Sequence, residues 1–485
     1  MNDNRITLKQ IARKAMISRG LVPDFPAALI SELRKITSPA THKSTQSKDM
    51  RRLLWCSVDN DDSLDLDQLS YAEQLPENKF RLLIAIADVD ALVIKHSNID
   101  HYAGQNTATI YTVAEIFPML PEKLSTDFTS MRMGEERCAV VVEMIIGHDG
   151  AVQQSDVYTA MVFNRAKLQY ESLGEWLEGN SPIPSEIRKV EGLAENIQLQ
   201  DRLAQKMKKL RYEHGALEFE TIEARPVFDG DALSEMKAEL KNRAKSMIED
   251  FMIATNGATA RYLEDQNFPS LRRVVRTPKR WNRIVELASE NGFLLPVKAE
   301  SKSLSAYLKF IKQNDPQHFV DMSISVLKLL GAGEYVVEIP GSAPEGHFGL
   351  AVKDYTHSTA PNRRFPDLVT QRLLKSAIAG HSVPYSIEQL EEIAQNCTQK
   401  EDDVRKVERL VEKSAMAMLM KSRIGGVFEA IVTGASAKGT WIRLFHPYAE
   451  GKLVNGFRGL EVGNKLKARL IHIDIDEGFI DFERV

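Results

Sequence analysis

Five aspartates fall within nine positions of SVDNDDSLDLDQLS (57–70): Asp59, Asp61, Asp62, Asp65 and Asp67. Carboxylates this close repel one another unless solvent screens them or cations sit among them. Oxygen-only ligand sets suit hard divalent ions such as Mg²⁺ or Mn²⁺. A solvated acidic turn is the plainest reading of the run. A calcium loop of the EF-hand type is excluded, because its sixth position needs Gly and its twelfth Glu, and Leu64 and Ser70 stand there. The sharper reading is a phosphodiesterase centre, in which carboxylate-held metal ions activate a water and stabilise the leaving oxygen. Such a loop needs a rigid strand beside it, and the apolar run FRLLIAIADV (80–89) supplies one.

A second chemical cluster is basic. LRRVVRTPKR (271–280) holds Arg272, Arg273, Arg276, Lys279 and Arg280, and reads as a solvated face or as the mouth of a nucleic-acid channel. Towards the C-terminus Phe428, Lys438, Trp441, Arg443, Phe445, Tyr448 and Lys452 mix aromatic and cationic side chains, as RNA grooves of OB-type barrels do. The formal net charge of −4 neither supports nor excludes a polyanionic partner. Cys56, Cys138 and Cys397 are isolated thiols, which argues against a disulfide framework and against a thiolate zinc site. No apolar run is long enough to cross a bilayer, the N-terminus lacks a signal-peptide layout, and a cytoplasmic protein is expected.

The elements that must carry these residues follow from periodicity. Length predicts roughly two to four domains. Thr7–Arg19 places Leu8, Ile11, Ala12, Ala15 and Met16 on one helical face, with Thr7 as N-cap and Gly20 as a left-handed stop. PDFPAALISELRKI predicts a second helix, with Pro26 in its first turn. This N-terminal unit reads as a packing appendage, or as half of a helix-turn-helix. Residues 37–50 read as a linker. RCAVVVEMIIGHDGAVQQSDVYTAMVF (137–163) predicts two strands joined at Asp149-Gly150. Helices are predicted over 184–213, 233–265, 278–292, 302–331 and 385–424, followed by short Gly-punctuated strands of a five-stranded barrel. The expected domains are 1–50 (helical unit and linker), 51–424 (catalytic) and 425–485 (barrel).

Five segments occur in a fixed order: VDNDDSLDLDQL, LLIAIADVDALV, FPMLPEKLST, KSMIEDFMIATN and YTHSTAPNRRFPDL. They resemble the motifs of the RNase II (RNB) family from about residue 50 to 375, and the terminal barrel resembles that family's S1 domain. The fold class implied is multidomain α+β: an RNB catalytic domain of mixed sheet and surrounding helices, an S1/OB-type barrel, and a small helical N-terminal unit. The resemblance implies a Mg²⁺- or Mn²⁺-dependent exoribonuclease that degrades single-stranded RNA from its 3′ end and releases 5′-nucleoside monophosphates, with Asp67 and Arg363 catalytic. Asp59, Asp65 and Asp67 match the family's first three metal-site aspartates, whereas Gln68 stands at the fourth. A neutral Gln at that position weakens one metal site and opens an alternative, an RNB-fold RNA-binding protein with little or no activity. A third reading is an unrelated metal phosphodiesterase acting on DNA or small nucleotides.

Arg363 matches the arginine that contacts the scissile phosphate, and Arg364 is a candidate for a neighbouring phosphate. Without the family, Arg363 would be read as a salt bridge to Asp354 or Asp367. Asn362 replaces the family's usual Ile. Tyr111 and Phe219 match aromatics that stack on bases, with Tyr170 a further aromatic candidate, and Glu249 matches a glutamate near the terminal nucleotide. The resemblance also implies a reduced subfamily lacking N-terminal cold-shock domains, a monomer, and no membrane partner.

Overall fold

The structure is a computed structural model that describes residues 4–41, 47–220, 223–230, 232–239, 241–436, 439–447, 449–461 and 463–485. Lys438 and Tyr448 of the barrel's RNA-groove set lie outside the described residues. The chain opens with helices α1 (Asn4–Ser18) and α2 (Ala27–Leu33). The stripe Leu8, Ile11, Ala12, Ala15 and Met16 is the buried face of α1. It packs with Val404, Val407 and Val411 of a long C-terminal helix, which favours the packing-appendage reading. The helix already runs from Asn4, so Thr7 lies inside it rather than capping it. Gly20 takes the expected left-handed conformation, φ 66°.

A mixed seven-stranded sheet organises the centre. Its strands are β1 (Lys48–Asp49), β2 (Cys56–Asp59), β3 (Gln68–Gln74) and β4 (Phe80–Ala87), then β7 (Glu136–Ile146), β8 (Val152–Phe163) and β9 (Ala166–Gln169). Between β4 and β7 come helix α3 (Asn98–Asn106) and the short hairpin β5 (Ile110–Tyr111) and β6 (Ile116–Phe117). The spatial order is β1-β8-β7-β4-β3-β2-β9, with β1/β8 and β2/β9 parallel and the other pairs antiparallel. The run 80–89 forms β4, whose last six residues are all buried, as a doubly covered central strand requires. The β7–β8 hairpin turns at Gly147–Ala151, with Gly150 at φ 91°.

Helices cover the sheet: α4 (Tyr170–Leu177), α5 (Ser185–Arg188), α6 (Leu193–Glu213), α7 (Arg243–Asp265) and, later, α11 (Phe365–Ile378). The helix predicted over 233–265 begins only at Arg243, because Glu223–Asp229 and Ala232–Glu239 pair as a hairpin. Asn242 starts α7 by accepting the Lys245 N–H on its side chain. The stretch 184–213 breaks at Gly192, φ 77°. The stretch 278–292 shortens to α8 (Trp281–Glu290), and 302–331 divides into α9 (Ser301–Asn314) and α10 (Phe319–Leu330) at Pro316. Helix α12 (Ile387–Met420) is opened by a Ser386–Gln389 capping box.

The C-terminal strands Val427–Ser436, Gly439–Leu444, Glu450–Asn455, Lys465–Asp474 and Phe479–Arg484 close into a five-stranded barrel. Gly451 is required there, since a Cβ would sit 2.2 Å from the Ile480 carbonyl oxygen. Met416, Ala417 and Met420 of α12 join the barrel's apolar core, so barrel and helical layer share packing.

Candidate active site

Three chain segments converge beside the C-terminal end of β2. The first is the loop from Asp59, the last residue of β2, to Asp67. Ser130 holds it: its Oγ donates to the Leu64 carbonyl (2.7 Å) and accepts the Leu66 N–H (3.1 Å). Lys167 Nζ donates to the carbonyls of Asp61 (2.9 Å) and Ser63 (2.6 Å). Asp61 and Asp62 are exposed, so the plain reading as a solvated acidic turn holds for that half of the run. Asp67 is 2% exposed.

The second segment is the turn Ala360–Arg364, closed by the Arg364 N–H to the Ala360 carbonyl (2.9 Å). It grips Asp67 by both oxygens: the Asn362 N–H donates to Oδ1 and Arg363 Nε to Oδ2, each at 3.0 Å. Each carboxylate oxygen keeps a second lone pair for another partner. The Arg363 side chain remains 41% exposed, which leaves its remaining N–H groups accessible. The third segment is β5 with its approach. The Thr109 N–H donates to the Arg363 carbonyl (2.9 Å), and the Tyr111 hydroxyl donates to Asp65 Oδ2 (2.9 Å).

The electrostatics are those of a site built for positive charge. Burial, reinforced by the charge of Asp65, pushes the Asp59 carboxyl up to about 7, against the pull of Arg363 and Lys167. Burial likewise pushes Asp67 up to about 7, with Arg363 opposing and Asp65 adding to it. Asp59 Oδ2 is buried without a hydrogen-bond partner. An orphaned buried oxygen among competing carboxylates, with only oxygen donors nearby, fits a hard divalent ion. Tyr170 lies close enough for Asp59, after burial, to raise its phenol. Gln68 is half-buried at the first position of β3 and makes no hydrogen bond to Asp59, Asp65 or Asp67.

The other expected residues separate from this cluster. Phe219 and Glu249 line a neighbouring cavity of about 780 Å³ together with Tyr212, Lys241 and Lys245. Glu249 is ion-paired with Lys241. The Lys245 ammonium, 6.0 Å from the centre of the Tyr170 ring, links that cavity to the aspartates. Arg364 is engaged in structure, paired with fully buried Asp367 at 2.7 Å. The ion pair that residue chemistry alone would give Arg363 is thus made by Arg364, while Arg363 pairs with Asp67.

In the basic run 271–280, Arg276, Lys279 and Arg280 are exposed, as on a solvated face, whereas Arg272 and Arg273 are not. Arg272 and Arg273 are buried, 2% and 6% exposed, against Glu338 (2.7 Å) and Glu401 (2.8 Å), and Arg276 pairs with Glu334 and Glu345. In the barrel, Arg443 pairs with Asp321 and Phe428 packs against the core. Trp441 and Lys452 are cross-strand partners lining a cavity of about 790 Å³ between the barrel and helices α8, α10 and α12. Among the described residues the one carboxylate trio whose ligand atoms all lie within 4.8 Å of one another is Glu264, Glu338 and Asp354; Asp59, Asp65 and Asp67 do not meet that distance. Arg272 lies 2.7 Å from Glu338 and 3.6 Å from Glu264, and Arg261 faces Asp354, so arginines already supply its countercharge. Sequence alone does not place Ser130 and Lys167 at the site; a hydroxyl and a lysine acting through backbone groups leave no periodic or motif signal.

Among the described residues no helix is long and apolar enough to cross a membrane. Residues 47–380 match the RNB domain, and residues 426–485 match the RNase II-type exonuclease C-terminal S1 domain. Ribonuclease R 1 of Lactococcus lactis is 26% identical over 97% of this chain and 60% of its own length. Ribonuclease R of Aquifex aeolicus is 27% identical over 98% of this chain and 70% of its own length. The chain therefore spans 60% to 70% of the length of these two relatives. The fold is similar to that of Mycoplasma genitalium RNase R in complex with ribose methylated single-stranded RNA, with TM-score 0.89, 22% identity, and coverage of 100% of this chain and 78% of that one. It is also similar to yeast Ssd1, a pseudonuclease, with TM-score 0.70, 15% identity, and coverage of 96% and 58%. With the RNB match spanning more than two thirds of its length and the S1 match following it in order, the chain belongs to the RNB family of RNase II-type proteins.

Proposed function

We propose that this protein is a metal-dependent 3′-to-5′ exoribonuclease acting on single-stranded RNA. The observation that carries this reading is that the Asn362–Arg363 turn grips Asp67 beside Asp65, whose charge is felt at both Asp59 and Asp67, while the Arg363 side chain stays partly exposed. Asp59, Asp65 and Asp67 would hold the ion, with Gln68 as a neutral neighbour. A bound Mg²⁺ or Mn²⁺ supplies an activated water and charge stabilisation at the leaving oxygen. The free N–H groups of Arg363 suit two oxygens of the scissile phosphate, where negative charge develops. Water attacks the last phosphorus, the P–O3′ bond breaks, and the proton passes to the new 3′ hydroxyl. The phosphate leaves on the 5′ carbon of the released nucleotide. Tyr111, exposed and aimed at Asp65, suits stacking on a terminal base, and Phe219 and Glu249 suit contacts further along the strand.

The test is 5′-labelled oligo(A) with Mg²⁺. A ladder shortening from the 3′ end is expected, abolished by EDTA, absent with the matching DNA, and lost in Asp67→Asn while RNA binding persists. Unchanged decay in Asp67→Asn would sink the reading. The alternative, an RNB-fold RNA binder without turnover, is favoured by Gln68 at the fourth aspartate position. Tight RNA binding with no product in either Mg²⁺ or Mn²⁺ would select it.

A further inference from the structure

Between the short helical turn Lys123–Phe128 and β7 stand two consecutive hydroxyl residues, Thr129 and Ser130, 4% and 0% exposed. They face the two halves of the site. Ser130 fastens the aspartate loop through Leu64 and Leu66, and the adjacent Met131 N–H donates to the Leu66 carbonyl (2.9 Å). Thr129 fastens the arginine turn: its Oγ1 lies against the carboxamide of Asn362, which is fully buried, and against the Leu124 carbonyl (2.8 Å).

The hydrogen-bond inventory sharpens this contact. A threonine hydroxyl has one proton, so it cannot donate to both the Asn362 carboxamide oxygen and the Leu124 carbonyl. Asn362 Nδ2, meanwhile, is buried with no partner among the described residues. Turning the carboxamide lets Nδ2–H donate to Thr129 Oγ1 and Thr129 donate to Leu124, and moves the unpartnered atom from the amide nitrogen to Oδ1. The result is a directed chain, Asn362 to Thr129 to Leu124. The same Asn362 gives its backbone N–H to Asp67 Oδ1, and the next residue is Arg363.

We propose that Thr129 and Ser130 are positioning residues, a two-hydroxyl clamp that fixes the aspartate loop and the arginine turn to one backbone point and so sets the spacing of Asp65 and Asp67 from Arg363. The clamp accounts for a polar Asn at a fully buried position. Without a hydroxyl beside it, neither end of that carboxamide would have a hydrogen-bond partner. The proposal rests on the nuclease reading for its rate effects, and on metal binding alone for its geometry.

The test compares Thr129→Val, nearly isosteric but without the hydroxyl, with Thr129→Ser, which restores it. Single-turnover cleavage of oligo(A), KM, Mn²⁺ affinity by electron paramagnetic resonance, and the melting temperature are read for each. Misplacement of reacting groups costs rate, so Thr129→Val should lower kcat by about tenfold or more with KM changed by less than about twofold. Mn²⁺ binding should weaken several-fold, and Thr129→Ser should recover most of both losses. In Thr129→Val/Asn362→Ile the two losses should not add, because the residues form one chain. Wild-type kcat and Mn²⁺ affinity in a folded Thr129→Val protein would overturn the proposal, as would losses that Ser does not recover. A wild type that binds Mn²⁺ but leaves RNA intact would defeat the nuclease reading alone. The clamp would then stand or fall on whether Thr129→Val weakens Mn²⁺ binding.

Discussion

In the proposed nuclease, Tyr111 would serve two functions with one side chain, and they can be separated. Its phenol donates to Asp65 Oδ2 at 2.9 Å, while its ring remains 42% exposed. Tyr111→Phe keeps the stacking surface and frees an Asp65 lone pair, so RNA affinity should hold while the metal concentration needed for half-maximal activity shifts. Tyr111→Ala should weaken oligo(A) binding by about 1–3 kcal/mol, roughly tenfold or more in Kd, as loss of one base stack does. Equal effects of the two substitutions in a filter-binding titration would refute that division. Gln68 allows a gain rather than a loss. It stands beside Asp67 at the start of β3 without bonding the aspartates, and a carboxylate there would add charge to the ion's surroundings. Gln68→Asp should lower the Mg²⁺ concentration required for turnover, measured by titration at fixed RNA. No change would mean that its side chain does not reach the ion. At this scale the aspartates were legible because their spacing is unusual and their chemistry narrow. The partners of Arg363 and Arg364 were not, because only the closed turn decides which arginine meets Asp67 and which meets Asp367.

Elements were legible where one period dominated. The apolar stripe of α1 and the buried run of β4 read directly from spacing, and both bury the residues that the spacing selects. The second strand of the hairpin, Ala232–Glu239, falls in the stretch predicted as helix from 233 because its composition (Glu, Lys, Ala, Met) favours helix, whereas cross-strand pairing decides its form. The burial of Arg272 and Arg273 within the basic run 271–280 is not legible in the sequence, because ion-pair partners such as Glu401 lie more than a hundred residues away. That same region makes stability depend on pH. Burial, with Arg273 adding to it, lowers His347 to about 4, and its Nδ1 accepts the Leu350 N–H at 3.1 Å, an arrangement that only the neutral ring can keep. His357, buried and bonded through Nδ1 to the Tyr335 hydroxyl (2.8 Å), is held well below its usual value for the same reason. The unfolded imidazoles bind protons below about pH 6.5 while the folded ones do not. The histidine contribution to stability should therefore be intact above that pH and fall progressively as pH drops from about 6.5 towards about 4, opposite in sign to that of Asp59 and Asp67, whose raised carboxyls favour the folded state as pH falls. Urea melts of wild type and His347→Gln at pH 7.5 and 5 isolate it: between the two pH values the wild type should lose more stability, or gain less, than the variant. A His347→Gln slope equal to that of the wild type would exclude this histidine as a contributor.

At the scale of the whole molecule the question is what keeps the barrel on the catalytic layer. Among the described residues, contacts of two different kinds do so. The end of α12 contributes Met416, Ala417 and Met420 to the barrel's own core, a non-directional contact that survives small rotations. The Arg443–Asp321 pair ties the second barrel strand to α10, with the two side chains only 12% and 15% exposed. Burial raises the Asp321 carboxyl, and Arg443 is the main influence opposing this, so removing either partner strands the other in a poorly solvated place. The pair also borders the same inter-layer region as the cavity of about 790 Å³ lined by Trp441, Lys452, Arg280 and Lys413. An ion pair there fixes orientation, and apolar packing supplies most of the attachment. Arg443→Ala should therefore leave the barrel folded but less firmly seated. Its signature would be faster tryptic cleavage at Lys421 and Arg423, exposed residues of the short turn between α12 and the barrel, with little change in the cleavage rate of a dinucleotide substrate. Replacing both partners by apolar residues, Arg443→Met with Asp321→Leu, should restore most of the protease resistance, because no charge is then left buried. Equal proteolysis rates for wild type and Arg443→Ala would assign the seating of the barrel to α12 alone.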